Sequence, residues 1–328
     1  MKIAIVRLSA IGDIIQSMIV LQFIKRRYPN ASIDWFIDSE FGDLLDGCDE
    51  INNVIKLNIK EIKARKSLSL LRKLLRKLKS LDKYDKVIDL QGLVKSAIVS
   101  RILSADERIG FDENSIRERL ASRFYSKKFY FPYGENVIRR YLGLTASALG
   151  FSYSDQEIFE KKPFFKLPRN NKTEHTPTIV IVLGASFQSK IYPVEKYATV
   201  VNSLDAEFIA LCYSSKELEM AKILQTLTKK ISISKCSNFS ELKTLIGNCD
   251  VVIGGDTGPT HLAWAMNKRS ITIFGSTPKD RNYFATDKNI AISYKNKVNP
   301  LKVDKKDFSI NKIDPDQISF LLNKLLSK

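Results

Sequence analysis

The chain has 328 residues, enough for two domains of ordinary size, and its 44% apolar and 27% charged residues are the balance of a globular protein. No apolar run reaches bilayer-spanning length, and no cleavage pattern follows residues 1–7, so the expectation is no signal peptide and a cytoplasmic location. The net charge of +17 either solvates the surface or calls for an anionic partner: nucleic acid, an anionic membrane face or a phosphorylated substrate. Cys48, Cys212, Cys236 and Cys249 have no CxxC spacing, and they read as reduced, mostly buried thiols rather than a zinc site.

Lys2–Arg7 (KIAIVR) is predicted as a buried strand and Leu8–Gly12 as a tight loop. Asp13 is predicted to open a helix that runs to about Arg27, with Ile14, Ile15, Met18, Leu21 and Ile24 at helical spacing. Ser32–Ile37 and Asn53–Leu57 read as the next strands, and this rhythm indicates a parallel sheet covered by helices. Ser67–Leu81 reads as an amphipathic helix, with Leu68, Leu71, Leu74, Leu75, Leu78 and Leu81 on one face and Arg72, Lys73, Arg76, Lys77 and Lys79 on the other. It docks on the sheet as a surface helix, or also rests on anionic lipid headgroups together with Lys60, Lys63, Arg65 and Lys66; both can hold. Lys86–Leu90 is predicted as a strand, Leu93–Leu103 as a helix and Arg108–Phe111 as a short strand. Ser115–Tyr125 is predicted as a basic helix carrying Arg117, and Glu135–Leu149 as a further helix. Lys161–Pro177 is the best linker, polar and rich in Pro and Asn, and its His175 reads as a solvated loop residue.

The pattern then restarts. Thr178–Leu183 is a predicted strand, followed by Gly184-Ala185-Ser186, Lys190 and a helix over Val194–Asn202. Glu207–Tyr213 is a strand, Ser214–Leu227 a helix with Glu217 in its first turn, and Ser240–Gly247 a helix capped by Ser240. The final helix, Pro315–Leu326, can pack back on the first domain. The most informative stretch is DVVIGGDTGPTHLAWAMNKRSITIFG, residues 250–275: strand, glycine-rich loop, helix with Pro259 in its first turn, and strand. A loop of this kind presents backbone N–H groups and a positive dipole end to an anion, here a diphosphate. It is neither a Walker A motif nor GxGxxG, and a plain strand-to-helix turn is the alternative. Against that alternative stand Asp256, Thr257 and His261, the last being one of two histidines in the chain. Asp13, Ser186, Lys190, Glu217 and the 254–261 loop all follow strand ends, where open α/β sheets bind ligands. The expected fold is α/β: two Rossmann-like doubly wound parallel-sheet domains, residues 1–165 and 166–328, facing across a cleft.

These motifs carry a resemblance. RLSAIGDIIQS (7–17), with its Gly12-Asp13 pair, and GGDTGPTHLAWAMN (254–267) resemble the opening and the DTG-x-x-H donor loop of the lipopolysaccharide heptosyltransferases, glycosyltransferase family 9, most of all the heptosyltransferase I type. Softer matches follow in the same order: VIDLQGLVKS (87–96), GFDENSIRERLASRFY (110–125) and GASFQSKIYP (184–193). Lys268-Arg269 departs from the family, which commonly has a proline there. The resemblance implies a GT-B architecture and inverting transfer of L-glycero-D-manno-heptose from ADP-heptose to the inner Kdo of Kdo-lipid A. The enzyme would work peripherally on the inner membrane's cytoplasmic side; no cofactor is expected, and no metal either, since the expected cleft has no carboxylate pair of DxD type and basic residues with a helix dipole can replace a cation.

Such a transfer needs a base for the acceptor hydroxyl, fixed positive charge for the departing diphosphate, and polar groups that orient the substrates. The resemblance implies Asp13 as the base; the residue alone is equally an anionic helix cap. Lys190 and the N–H groups around Thr257 and Gly258 are the expected diphosphate clamp, a solvated loop lysine being the alternative. Ser186 belongs to the donor side. The resemblance places His261 near the phosphates or heptose, Asp256 on the heptose hydroxyls and Glu217, or else Glu219, on the ribose. Arg117 would pair with a carboxylate or phosphate of the acceptor, and Lys63, Arg65 and Lys66 are equal candidates. Two alternatives remain: heptosyltransferase II or III acting on a heptosylated acceptor, and a non-catalytic basic protein that binds nucleic acid. The latter needs clustered aromatics on a basic sheet or a recognition module; neither is visible, so no nucleic-acid partner is expected.

Overall fold

The computed structural model describes residues 1–166, 176–295 and 297–327. His175 and the middle of the linker lie outside the described residues. The chain divides into two compact units, Met1–Phe164 and Phe165–Lys328.

The first unit holds the strands β1 (Lys2–Val6), β2 (Ser32–Asp38), β3 (Asn53–Leu57), β4 (Tyr84–Asp89), β5 (Ala105–Phe111) and β6 (Lys127–Phe129). They form one 6-stranded parallel sheet in the order β3-β2-β1-β4-β5-β6. Its helices are α1 (Ile11–Ser17), α2 (Ile19–Arg27), α3 (Ile59–Arg65), α4 (Leu68–Lys79), α5 (Val94–Ile102), α6 (Val137–Leu149) and α7 (Asp155–Phe159). Ile3, Ala4, Ile5 and Val6 are all fully buried, so β1 is covered on both faces, which is why its sequence is an unbroken apolar run.

The second unit repeats the plan. Its strands are β7 (Thr178–Val182), β8 (Glu207–Cys212), β9 (Ile231–Lys235), β10 (Val251–Gly255), β11 (Arg269–Phe274) and β12 (Asn289–Ser293), in the order β12-β11-β10-β7-β8-β9 and all parallel. Its helices are α8 (Val194–Asn202), α9 (Ser215–Leu227), α10 (Phe239–Asn248), α11 (Gly258–Ala265), α12 (Lys279–Asn282) and α13 (Pro315–Leu326). Read from each unit's own first strand, both sheets have the doubly wound order, with the topological switch point between the first and fourth strands. That places one switch point between β1 and β4, the other between β7 and β10. α13 packs on α8, β10 and β11 of its own unit. All four cysteines are buried free thiols.

The local chemistry corrects three expectations. The first helix is interrupted at Met18, whose N–H is shared between the carbonyls of Ile14 and Ile15 while Ser17 Oγ bonds back to Ile14 O. Ser115–Tyr125 is not an α-helix; only Arg119–Phe124 winds, as a 3-10 helix, and Arg117 lies in the loop before it. There Ser115 N and Oγ both donate to Asp112 Oδ1, and Tyr125 leaves to hydrogen-bond Asp89, so side chains take the groups a helix would use. The cap of α10 is Asn238 instead of Ser240: its Oδ1 accepts from Glu241 N at 2.9 Å. The edge strands β6, β9 and β12, which each pair on one side only and mix polar with apolar residues, lie outside the predicted elements.

Candidate active site

At the second unit's switch point, β7 ends and the chain passes exposed Ser186 into a 3-10 turn, Gln188–Lys190. β10 ends beside it at Gly255. Only glycine fits there, since a Cβ would stand 2.3 Å from the Lys190 carbonyl oxygen. This close approach brings Lys190 Nζ to 3.0 Å from Asp256 Oδ2. His261 Nε2 donates to Asp256 Oδ1 at 2.9 Å, and Asn282 Nδ2 donates to Oδ2 at 3.1 Å. A carboxylate offers about four acceptor positions, and these bonds fill all but one. Burial works against the charge of Asp256, whose side chain is 5% exposed. Lys190 and the His261 hydrogen bond outweigh that penalty and hold the carboxyl well below the usual carboxylate range.

Thr257 caps α11 with its N–H on Thr260 Oγ1 at 3.2 Å. Gly258 opens the helix, where an N–H has no intrahelical acceptor, and Pro259 follows without an N–H to lose. His261 lies one turn in, its N–H on Thr257 O at 3.2 Å. Glu217 closes a capping box on α9: Oε2 accepts from Ser214 N at 3.0 Å and from Tyr213 N, while Ser214 Oγ accepts from Glu217 N at 3.2 Å. Its other oxygen covers the loop after β7, where a Cβ on Gly184 would come within 1.8 Å of Oε1. Glu219 is exposed on the same helix.

The first unit's switch point is built around Arg7, which sequence reasoning did not single out. Arg7 is buried; one of its terminal nitrogens donates to Leu90 O at 2.9 Å and the other pairs with Asp13 Oδ1 at 2.9 Å. Its guanidinium lies 5.3 Å from the Tyr141 ring centroid, and Tyr141 OH reaches Asp13 Oδ1 at 3.5 Å. Burial opposes the Arg7 charge, but Asp13, Tyr141 and Asp89 more than offset it and raise its pKa. Asp13 stands in the first turn of α1 with its side chain 45% exposed. Gln91 ties the loops together, accepting from Leu8 N at 2.9 Å and donating to Ser9 Oγ at 3.2 Å. Below them Asp89 is fully buried, and burial raises its pKa although Tyr125 OH, Gln91 N and Gly92 N all donate to it.

A family model for glycosyltransferase family 9 (heptosyltransferase) matches residues 71–310. The chain belongs to this family. It is 41% identical to lipopolysaccharide heptosyltransferase 1 of Campylobacter coli, over 99% of both chains. Among solved structures, E. coli heptosyltransferase WaaC with ADP superposes with a TM-score of 0.81 at 22% identity, covering 99% of this chain and all of that one. The same enzyme with ADP-2-deoxy-2-fluoro heptose gives a TM-score of 0.78 at 22% identity, covering 99% of each chain. The two parallel sheets with their helices are therefore a GT-B-like α/β fold.

In this glycosyltransferase the other expected residues lie outside the two switch-point networks. Arg117 is exposed, its guanidinium 5.8 Å from the Tyr133 ring centroid. Lys63 and Arg65 are exposed on α3, and Arg65 pairs with Glu61 at 3.3 Å. Arg7, Tyr141 and Asn282 are the members of these networks that sequence reasoning missed. Arg7 lies inside a family-like stretch, RLSAIGD, but nothing local distinguishes it from other cations. Among the described residues no group of three or more His, Cys, Asp or Glu could hold a metal ion, and no helix is long and apolar enough to cross a membrane.

Proposed function

We propose that this glycosyltransferase moves L-glycero-D-manno-heptose from ADP-heptose to the inner Kdo of Kdo-lipid A, with inversion, as a heptosyltransferase I. The observation that carries the reading is the Lys190–Asp256–His261 network beside the start of α11. It sets one ammonium and a helix N-terminus at the end of a parallel sheet, the arrangement a diphosphate needs. Lys190 and the Gly258 N–H take the departing ADP, without a metal ion or cofactor. Asp256 first holds Lys190 and His261 in place, and its one remaining acceptor position serves a heptose hydroxyl. His261 faces the phosphates or the sugar, Ser186 the donor, and Glu217 Oε1 the ribose.

Asp13 is the base in this scheme. Arg7 fixes one carboxylate oxygen and the exposed remainder is free to take a proton from the acceptor hydroxyl. Arg117, Lys63 and Arg65 supply charge for the anionic acceptor. The names of the Campylobacter coli and E. coli relatives support the acceptor class and donor. We place the reaction at the cytoplasmic face of the inner membrane, with α4 against the lipid. Leu68 and Leu71 on α4 are 68% and 39% exposed, and no acidic residue lies between Glu61 and Asp82. An apolar stripe left open beside a basic one fits an anionic bilayer surface.

The test is ADP release from ADP-heptose, measured with and without Kdo-lipid A. Release that requires this acceptor, with a product anomer opposite to that of the donor, is expected. Release without acceptor, or only with a heptosylated one, would refute the assignment.

A further inference from the structure

We propose that Lys95 is an anion contact for the acceptor: its ammonium, together with the Ser9 hydroxyl, receives a carboxylate or phosphate oxygen at the β1/β4 switch point. Lys95 is the second residue of α5, just beyond the carboxyl end of β4, where open α/β sheets take their ligands. Its Nζ donates to Ser9 Oγ at 2.8 Å, and that hydroxyl also accepts from Gln91 Nε2 at 3.2 Å. Two donors therefore converge on one neutral hydroxyl. Among the described residues no carboxylate comes within ion-pair distance of Lys95. Asp38 and Glu118 act on it only from further off, while Arg7 and Lys63 repel it. Burial is the largest influence and lowers its pKa.

Other shielded lysines are settled differently. Lys190 has Asp256 and Lys86 has Glu107, while Lys25 and Lys196 end on the backbone carbonyls of Ala31 and Ile313. Lys95 alone of these is half-buried on a side-chain hydroxyl in a ligand-binding loop. A charge partly removed from water and given no counter-charge is unfavourable until an anion reaches it. Arg7, already paired with Asp13, and Lys63 add positive potential around the same point. The inference rests on the reading of the first unit as the acceptor side.

The experiment is calorimetric binding of three soluble probes to the full chain: O-deacylated Kdo-lipid A, its carboxyl methyl ester, and its dephosphorylated form. Lys95→Met is expected to weaken the unmodified probe about tenfold to a hundredfold. Lys95→Arg should keep most of the affinity, and ADP binding should stay at the wild-type value in both, which also reports folding. The loss should vanish with the one modified probe that lacks the contacted oxyanion, and this tells carboxylate from phosphate. Equal losses on all three probes, or none on any, overturn the Lys95 assignment alone. A wild-type chain that binds none of the three overturns the acceptor reading itself, and the assignment with it.

Discussion

At the β7/β10 switch point an aspartate spends its charge inside the fold; at the β1/β4 switch point an aspartate keeps half of its charge available. Asp256 is 5% exposed and meets Lys190, His261 and Asn282, so it has one acceptor position left. Asp13 is 45% exposed and is held at one oxygen, by Arg7 and Tyr141. The two sheets share a strand order, so topology does not make this difference. It comes from whether the loop after the fourth strand turns its carboxylate inward, as Gly255-Asp256 does, or whether the first loop starts a helix that carries one outward, as α1 does. A buried carboxylate with three of its acceptor positions taken can position cations for a diphosphate but is poorly placed to exchange a proton. A half-held, exposed one suits proton transfer.

The sharpest break of this comparison is Asp13→Ala. Turnover should fall by about a hundredfold to ten-thousandfold while ADP affinity, measured by calorimetry, is unchanged. A parallel loss of ADP binding would show that the two switch points are not separable. Next in size is charge reversal at Arg72, Lys73 and Arg76. Lys77 is spared because its Nζ donates to Lys56 O at 2.9 Å. At about 1 kcal/mol per cation, sedimentation with anionic vesicles should drop on the order of a hundredfold at low salt, and added salt should erase the difference. Transfer to vesicle-borne acceptor should slow more than transfer to a short-chain analogue. If neither changes, α4 is only a docked surface helix.

Lys190→Ala addresses the closed network. Loss of a charge-assisted hydrogen bond should weaken ADP about tenfold and leave adenosine binding unaltered. Equal losses for both ligands would remove Lys190 from the phosphates. The smallest effect concerns pH. Because the folded pKa of Asp256 lies below its unfolded value of about 3.9, its contribution to stability is present above that pH and is lost as pH falls through the folded pKa. The difference in Tm between wild type and Asp256→Asn should therefore be constant near neutrality and narrow below about pH 4. A difference that stays constant down to pH 2 would contradict the ion pairing.

Much of this was legible in the sequence where a single strand and its loop carry the information. The apolar runs of β1, β7 and β10 and the glycine-rich turn into α11 marked both switch points. What stayed hidden depends on contacts far apart in sequence. Arg7, the partner of Asp13, is also held by Leu90 O just past the end of β4, 83 residues away in sequence, and Asn282 reaches Asp256 across 26 residues. Ser115–Tyr125 has a helical composition, yet Asp112, Asp89 and Arg140 claim its ends. The resemblance implies Glu217, or else Glu219, for the ribose; the helix cap that takes Glu217 Oε2 is signalled by the Ser214-x-x-Glu217 spacing itself and leaves Oε1 to that role.

The central claim, heptose transfer onto a Kdo acceptor, is tested most directly by mass spectrometry of Kdo-lipid A after incubation with ADP-heptose and the wild-type chain. The account predicts a gain of one heptose per acceptor, absent when Asp13→Ala replaces the wild type. An unchanged acceptor mass, or a gain seen only on an acceptor that already carries heptose, would contradict it.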